Sequence, residues 1–237
     1  MLINTDYRSN DPEIMDDFQL EGEVLQNALD KIARINQLLG GNQLTLQGIK
    51  ALLNNENKKY EVTIVDIGCG NGDMLRYIAE FGDSNNYKFK LIGIDANAFT
   101  INHAKNLSVH YPNINYETID IFEKQFDEVK YDIVLCTLTL HHFKNSEIIN
   151  LIKQLYKNSS IGIVINDLQR SKLAYRLFQV VCFIFSLNKM SKQDGLTSIL
   201  RGFKKKELID FSKELELKKY TLNWKWAFRY QWIIFKN

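Results

Sequence analysis

The sequence predicts an α/β fold in which a doubly wound, mostly parallel sheet of seven strands is covered by helices. Three observations support this prediction. Strand-like and helix-like segments alternate from residue 60 onward, several strands are continuous apolar runs such as "IGIVI" at 161–165, and three glycines directly follow the first strand. Continuous apolar runs are typical of parallel strands that are buried on both faces of a sheet.

Two helices are predicted ahead of the sheet. Apolar residues recur at helical spacing from Leu20 to Leu39, and the glycines at 40–41 end this helix. A shorter helix, "LQGIKALL", follows at 46–53. We expect residues 1–58 to form an N-terminal helical cap and residues 59–237 to form the main domain, with an inserted lid at about 168–203.

Five strands then alternate with helices. The predicted strands are 60–68, 89–95, 114–120, 131–140 and 160–167, and the helices between them are 72–82, 98–111 and 146–157. A further helix is predicted at 204–215. The aromatic residues of 220–235 alternate with polar ones, which favours two antiparallel edge strands. We expect these aromatic residues to pack on the edge of the sheet.

The composition indicates a soluble globular domain of the size of an enzyme. The chain is 45% hydrophobic and 24% charged, and its net charge of +2 gives no general reason to expect nucleic-acid binding. Cys69, Cys136 and Cys182 are isolated, so neither a zinc site nor a disulfide framework is predicted, and a reducing compartment is expected. The first 17 residues contain no apolar signal core, and we expect a cytoplasmic location.

Residues 173–187, "LAYRLFQVVCFIFSL", interrupt the alternation of strands and helices. The segment is apolar nearly all round and has basic residues on both sides. It is shorter than the roughly 20 apolar residues that span a bilayer. It therefore predicts either a buried helix or a lid over an apolar substrate that makes transient contact with a membrane surface. The sequence leaves both interpretations open.

The stretch "VDIGCGNGDML", residues 65–75, predicts a ligand-binding turn. Its glycines follow the pattern GxGxG, and an acid lies on either side of them, at Asp66 and Asp73. Glycines allow a ligand to approach the backbone closely. The two acids would repel a pyrophosphate but attract a cation. S-adenosylmethionine (SAM), which carries an ammonium and a sulfonium group, satisfies this requirement.

Further acids lie where neighbouring strands end. Asp95 ends the second strand, where a carboxylate can accept hydrogen bonds from two ribose hydroxyls. Asp120 follows the third strand, where it can accept from an adenine amino group while Ile121 and Phe122 pack on the ring. The fourth strand leads into "CTLTLHHF", residues 136–143, beside the reactive end of such a ligand.

Together these motifs resemble the class I SAM-dependent methyltransferases, in particular small-molecule enzymes of quinone and polyketide biosynthesis. The resemblance covers residues 62–167 and is carried by DxGCGxG at 66–72, Asp95, Asp120-Ile121 and "LHHF" at 140–143. It implies a Rossmann-like methyltransferase fold, SAM as methyl donor and S-adenosylhomocysteine (SAH) as product. The donor contacts that it implies are Asp66, Gly68, Cys69, Gly70, Asn71, Gly72, Asp73, Met74, Asp95, Ala96, Asn97, Asp120, Ile121, Phe122, Cys136, Thr137 and Leu138.

The flanking segments resemble a narrower group, the methyltransferases found beside type III polyketide synthases. The matching stretches are "MDD" at 15–17, "ARINQLLGG" at 33–41, "NDLQRSKLAY" at 166–175 and "DGLTSILRGFKKKEL" at 194–208. Those enzymes are thought to methylate products similar to alkylpyrones or alkylresorcinols. The resemblance implies that the N-terminal helix, with Arg34 and Asn36, lies over the donor site, and that the acceptor is a small, apolar hydroxyl compound.

His141 and His142 are the candidate catalytic residues. In the resembled family their loop lines the cleft, where a histidine can act as general base for a phenol of pKa about 10. The alternative is that one of them only packs the loop. A metal site is not predicted, because adjacent residues on a loop do not converge and no third ligand lies at a suitable spacing. Cys69 is expected only to fill the turn.

Candidate acceptor contacts come from three places. Asp167 and Arg170 follow the fifth strand, Arg201 lies in "LRGF", and Tyr175 and Phe178 belong to the apolar segment, in addition to His142. Asp167 has an alternative role as a helix cap, and the arginines have one as solvated side chains.

Other functions fit the sequence less well. A short-chain oxidoreductase would need GxGxxG and a Tyr with Lys four residues on, which the chain lacks. An enzyme that methylates the amino groups of nucleic acids would carry a Pro-Pro-aromatic motif where this chain has "TLTLHHF". Methylation of a protein side chain and a non-catalytic SAM-binding partner protein remain alternatives.

Overall fold

A computed structural model of the protein describes residues 3–127 and 129–236. Seven strands form one sheet in the order β3-β2-β1-β4-β5-β7-β6. Their bounds are β1 Glu61–Ile67, β2 Lys88–Asp95, β3 Ile114–Thr118, β4 Tyr131–Thr137, β5 Ser159–Leu168, β6 Tyr220–Lys225 and β7 Arg229–Phe235. The first five strands are mutually parallel, while β7 runs antiparallel to both β5 and β6. The predicted fold class is confirmed.

Helices cover both faces of this sheet. Their bounds are α1 Glu23–Leu38, α2 Gly41–Leu52, α3 Asp73–Asn85, α4 Ala98–Leu107, α5 Lys124–Asp127, α6 Asn145–Asn158, α7 Lys172–Ile184, α8 Lys189–Arg201 and α9 Lys205–Glu214. Short 3-10 turns occur at Ile14–Asp16, Asn55–Lys58 and Leu140–His142. One core cluster joins the sheet to α6 and α9, and a second joins its other face to α2, α3 and α4.

Several helices begin where a side chain can accept a hydrogen bond from the first turn. Asn97 accepts from the Thr100 amide at the start of α4, and Ser171 accepts from the Ala174 amide at the start of α7. Such caps satisfy amide groups that have no partner within the helix. Asn97, predicted as a donor contact, is therefore occupied in capping α4 and lines neither cavity of the site.

The second helix begins earlier than the sequence indicates, at Gly41 instead of residue 46. Gly40 adopts a left-handed conformation (φ 78°), which ends α1 and lets α2 start at the next residue. Helix α2 lies flat on the sheet: a Cβ at Gly48 would approach Cγ1 of Val164 to 2.5 Å. Part of the predicted N-terminal cap thus packs directly on the sheet.

The two C-terminal strands were both expected at the edge, but only β6 lies there. Strand β7 is inserted between β5 and β6, and Trp232 at its centre is completely buried. Of these two strands, β6 alternates in exposure over its first residues, with Trp224 half-exposed, whereas β7 is almost entirely buried. A buried strand is apolar on both faces, as "WIIF" at 232–235 is.

Helix α7 is amphipathic, and the buried-helix interpretation of the apolar segment is wrong. Only Ala174 and Cys182 are buried in it, whereas Phe183 is 86% exposed. Helix α8, which the sequence does not predict, follows α7 and packs beside it. Within the residues that the structure describes, none of the helices combines the length and the hydropathy needed to cross a bilayer.

Candidate active site

The carboxyl ends of the parallel strands meet at one edge of the sheet, and two cavities open there. A cleft of about 900 Å³ extends over β2 and β3, and a cavity of about 510 Å³ extends over β1, β4 and β5 toward α7. Gly68, Asp95, His141 and His142 line both volumes. The predicted glycine turn and the predicted histidine loop therefore face each other across one site.

The turn after β1 needs its glycines. Gly68 and Gly72 have positive φ angles of 66° and 77°, which side chains disfavour. A Cβ on Gly68 would lie 2.5 Å from Thr139, and one on Gly72 would lie 2.0 Å from the Tyr116 hydroxyl. Gly72 itself lines neither cavity and serves the turn, whereas the backbone at Gly68, Cys69 and Gly70 is open to the ligand.

Three carboxylates converge at this turn. Asp66 is 2% exposed, and its Oδ1 has no hydrogen-bond partner. Burial, followed by the charges of Asp73 and Asp95, raises the pKa of Asp66 well above its usual range. All three acids line the smaller cavity. A buried carboxyl group with an unpartnered oxygen beside two other acids favours the binding of a cation, and the ammonium and sulfonium groups of SAM are suitable cations.

Asp95 and the Asp120 segment, which the sequence predicts to bind the ribose and adenine of SAM, lie together in the larger cleft. The Asp95 carboxylate accepts from the amides of Gly70 (3.2 Å) and Asn97 (3.0 Å), and burial raises its pKa. Beside it in the larger cleft lie Ala96, Asp120, Ile121 and Phe122. These positions match those predicted for the ribose and adenine of SAM, with acceptors next to an apolar wall.

Helix α1 lies over the glycine turn and is connected to it by hydrogen bonds between polar side chains. The Asn36 amide donates to Asn42 (2.6 Å), and the Asn42 amide donates to Asp73 (2.8 Å). Asn71 donates to Asp30 of α1 (2.8 Å). Asn36 lines the smaller cavity as predicted.

Two predicted donor contacts lie elsewhere. Contrary to prediction, Arg34 is exposed on the outer side of α1 and lines neither cavity. Cys136 is completely buried in the core of β4, one residue before the cavity wall begins at Thr137 and Leu138. Met74, by contrast, lines the smaller cavity.

The two histidines are each held by an acid. His141 Nδ1 lies 2.7 Å from Asp167 Oδ1, and both side chains are buried. His142 Nδ1 lies 2.6 Å from Asp16 Oδ1. Burial alone would raise the pKa of Asp167, but the charge and hydrogen bond of His141 lower it. Asp167, predicted to contact the acceptor, lines neither cavity and is hydrogen-bonded to His141 instead.

The N-terminal segment brings a third polar group to the histidines, which the sequence did not indicate. Glu13 Oε1 lies 3.7 Å from His141 Nε2 and 3.9 Å from His142 Nδ1. Both Glu13 Oε1 and His141 Nε2 are buried without a hydrogen-bond partner. Burial raises the pKa of Glu13 to about 7. Glu13, His141 and His142 lie close enough together to share a metal ion, so the expectation that no third ligand is available is wrong.

Arg201, the last residue of α8, connects that helix to the cluster of Glu13, His141 and His142. Its guanidinium donates to Asp16 Oδ2 (2.6 Å) and to the His141 carbonyl (3.2 Å), and it lies 3.7 Å from Glu13 Oε1. Although burial acts to raise the pKa of Asp16, hydrogen bonds from His142 and Arg201 lower it. Arg201 lines the larger cleft and holds the cluster together. The "MDD" stretch contained the only sequence signal for Asp16.

The side of the smaller cavity away from the glycine turn is mostly apolar, although Gln169, Ser191, Asp194 and Ser198 also line the cavity. Its wall is formed by α7, α8 and the β6–β7 turn, and includes Leu177, Phe178, Val181, Ile199 and Phe228. Phe178, a predicted acceptor contact, is part of this wall.

Two other predicted acceptor contacts are not at the cavity. Arg170 is buried in an ion pair with Glu207 (2.7 Å), because its side chain points to α9, and Tyr175 also lies off the cavity wall. Arg229, which the sequence did not single out, lines the cavity at the start of β7.

Comparisons with known proteins agree with this geometry. Residues 64–162 match a family model described as a methyltransferase domain. The ubiquinone biosynthesis O-methyltransferase of Rickettsia akari is 31% identical over 57% of this chain, which spans about half (51%) of that relative. The carboxy-S-adenosyl-L-methionine synthase of Campylobacter jejuni is 25% identical over 74% of this chain and 77% of its own length.

A solved structure shares the fold. Magnesium protoporphyrin IX methyltransferase from Synechocystis PCC 6803 with bound SAM superimposes with a TM-score of 0.56 at 14% identity, over 94% of this chain and 89% of the other. The family match, the sheet order and the carboxylate-lined glycine turn agree with one another. Residues 64–162 therefore form a methyltransferase domain, and these findings together support a class I SAM-dependent methyltransferase whose cofactor is SAM.

Proposed function

We propose that the protein transfers the methyl group of SAM to a hydroxyl oxygen of a small apolar acceptor. The acceptor class we propose is an aromatic, quinol or polyketide-type (pyrone or resorcinol) compound. The observation that carries this proposal is the continuity of the smaller cavity, which runs from Asp66 to Phe178 and Val181. One end suits a cationic donor, and the other suits a hydrocarbon body.

The chain's own residues would position the donor and exclude water. Asp66 and Asp73 would bind the ammonium group, Asp95 would accept from the ribose, and Asp120 from the adenine. SAM, when bound, supplies a methyl group on a sulfonium sulfur, which is already a good leaving group. The remaining requirement is alignment of the acceptor oxygen, and holding two reactants in place accounts for much of the rate in such reactions.

The cluster of Glu13, His141 and His142 would receive the acceptor proton. It lies where the two cavities meet, and its unpartnered atoms, Glu13 Oε1 and His141 Nε2, are 3.7 Å apart. That separation is too long for a hydrogen bond between them, so a hydroxyl oxygen placed there could donate to either atom. In this proposal the carboxylates of Asp167 and Asp16 orient the two rings.

The exposed face of α7 supports an acceptor that dissolves in membranes. Leu173, Leu177, Val180 and Ile184 form one stripe at helical spacing, and all are at least 42% exposed. Exposed basic residues lie nearby at Lys172, Arg176, Lys189 and Lys192. Leu177 and Val180 also line the smaller cavity. This arrangement favours transient contact with an anionic membrane surface, from which the acceptor would enter.

Vesicle binding tests that contact. We expect the protein to co-sediment with phosphatidylglycerol vesicles more than with phosphatidylcholine vesicles, and Phe183→Ser to reduce the bound fraction. Val109→Ser is the matched control, because Val109 is 70% exposed on a different part of the surface. Equal binding of Phe183→Ser and wild type would exclude α7 as the contact.

Turnover assays test the function itself. Calorimetric titration should show binding of SAM and SAH and none of NAD. Incubation with SAM and an alkylresorcinol or a quinol should then yield methylated acceptor and an equal amount of SAH. Binding of SAM without turnover of any such acceptor would favour a non-catalytic SAM-binding protein, and methylation of added protein but not of small molecules would favour a protein substrate. Carboxylated SAM among the products would indicate the activity for which the Campylobacter relative is named.

A further inference from the structure

Among the residues that the structure describes, a buried arginine in the wall of the smaller cavity has no anionic partner within hydrogen-bond distance. Arg229 is 4% exposed, and its Nε and Nη1 atoms have no hydrogen-bond partner among the described residues. Burial lowers the pKa of this guanidinium to about 10, and the charge of Asp167 acts in the opposite direction. Buried charges are usually paired, because an unpaired one is strongly disfavoured in a low-dielectric interior.

The described residues do not supply an anion within hydrogen-bond distance of Arg229. Among the acids, Asp167 is the one whose charge acts on Arg229, and its oxygens are already occupied by the ring of His141 and the amides of His141 and Leu168. Arg229 lines the smaller cavity, whose wall also includes the apolar side chains of Phe178 and Phe228. A buried guanidinium that lacks an anionic partner can bind an oxyanion through charge-assisted N–H donors.

We propose that Arg229 binds an oxyanion of the acceptor, so that the protein selects acceptors with an acidic hydroxyl or a carboxylate. Such acceptors include acidic enols, ionised phenols and aromatic acids. This inference rests on the proposed function for the occupant of the cavity. It goes beyond that function because it assigns a specificity residue and a charge to the acceptor.

The carboxylate of SAM is the rival occupant, and the sheet order argues against it. The glycine turn follows β1, while Arg229 begins β7, three strands away across β4 and β5. Strands lie about 4.8 Å apart, so the two backbones are separated by about 14 Å. Asp66, Asp73 and Asp95 around the turn favour the ammonium end of the donor there. An oxyanion at Arg229 therefore belongs to the second substrate.

An ionised acceptor also simplifies the chemistry. The guanidinium stabilises the oxygen as an anion, which lowers the pKa of a bound hydroxyl and makes the oxygen a better nucleophile. In the transfer, the oxygen forms a bond to the methyl carbon while the carbon–sulfur bond of SAM breaks and its electron pair returns to sulfur. The proton of the hydroxyl leaves beforehand, to solvent or to the cluster of Glu13, His141 and His142.

The test compares an anionic probe with its neutral counterpart in the SAH-bound protein. The probes are 4-hydroxy-6-methyl-2-pyrone, which is ionised at pH 8, its 4-methoxy derivative, which is neutral, and benzoate. We expect wild type to bind the hydroxypyrone more tightly than the methoxypyrone. Arg229→Met should weaken hydroxypyrone binding by about 10- to 150-fold, the range for a hydrogen bond to a charged group, and leave the methoxypyrone unchanged. Benzoate distinguishes the two kinds of oxyanion, an ionised hydroxyl and a carboxylate. If benzoate binds, the site accepts carboxylates as well as ionised hydroxyls.

Two further variants keep the result interpretable. Arg34→Met, at the exposed arginine of α1, should bind both pyrones like wild type. Arg229→Lys should retain part of the preference, and it replaces Arg229→Met if that variant does not fold. Arg229→Met should also unfold at a higher temperature than wild type, since an unpaired buried charge has been removed. Equal binding of both pyrones by wild type, or an unchanged preference in Arg229→Met and Arg229→Lys, would overturn the proposal.

The same samples keep this inference separate from the proposed function. Titration with SAM should give an affinity for Arg229→Met within about twofold of wild type. Loss of SAM binding in Arg229→Met would assign Arg229 to the donor carboxylate and overturn the inference. Failure of wild type to bind SAM would instead count against the proposed function.

Discussion

Replacing Asp66 with asparagine should weaken SAM binding and change how stability depends on pH. The substitution keeps the shape of the side chain and removes its charge. Asp66 is 2% exposed, its Oδ1 is unpartnered, and Asp73 and Asp95 are nearby. Loss of a charge-assisted hydrogen bond to the ammonium of SAM corresponds to about 1.5–3 kcal/mol, or about 10- to 150-fold in Kd. Calorimetry with SAM measures this directly.

The pH dependence follows from the raised pKa of Asp66. In the folded protein the carboxyl group keeps its proton to a higher pH than in the unfolded chain, where its pKa is about 3.9. The stabilisation is complete below the unfolded pKa and is lost as pH rises from there through the folded pKa. Within that window the free energy of unfolding falls by up to about 1.4 kcal/mol per pH unit. Asp66→Asn should lack this decrease.

The assay is denaturant unfolding of both proteins without ligand between pH 4 and pH 8. As pH rises, the free energy of unfolding of Asp66→Asn should increase relative to that of wild type. Asp83→Asn, at an exposed acid on α3, is the matched control and should follow wild type in stability and SAM affinity. Parallel curves for wild type and Asp66→Asn, or an unchanged Kd for SAM, would refute the assignment of Asp66 to the donor.

Three further substitutions test other parts of the site. Asp95→Ala removes the predicted ribose acceptor and should raise the Kd for SAM about tenfold or more in calorimetry. Gly72→Ala should lower the free energy of unfolding by at least about 1 kcal/mol in urea, because φ is 77° and a Cβ would clash with the Tyr116 hydroxyl. Arg170→Met breaks a buried ion pair with Glu207 and should destabilise the protein by about 3–5 kcal/mol, while folded protein binds SAM like wild type.

Each of these predictions has a contrary outcome. An unchanged affinity of Asp95→Ala for SAM would show that Asp95 does not bind the ribose. Wild-type stability in Gly72→Ala would mean that the turn tolerates a side chain. A stable Arg170→Met that no longer turns over the acceptor would return Arg170 to the substrate contacts predicted from the sequence.

The donor half of the site could be predicted from the sequence because its signals are local. The glycine turn and Asp66 lie within seven consecutive residues, and Asp95 and Asp120 each follow a recognisable strand. Parallel strands bring their carboxyl ends to one edge, so position along the chain fixes position in space. The same regularity predicted seven strands and most of the helices.

The acceptor half depended on contacts between distant parts of the chain. Glu13 reaches His141 across 128 positions, and Arg201 reaches Glu13 from α8, with no periodicity or motif to connect them. The exposure of α7 was also undetermined, since an apolar segment has the same composition whether a protein core or solvent covers it.

The sequence by itself determined the fold, the donor and the loop where chemistry would occur, because backbone periodicity and glycine conformations encode them locally. Only the tertiary structure decided which polar groups lie without partners inside the cavity. Arg34 and Arg229 are the same residue type, but one is exposed on α1 and the other is buried in the cavity wall. Packing decides which of the two charges is desolvated, and a desolvated charge is what recognises a ligand.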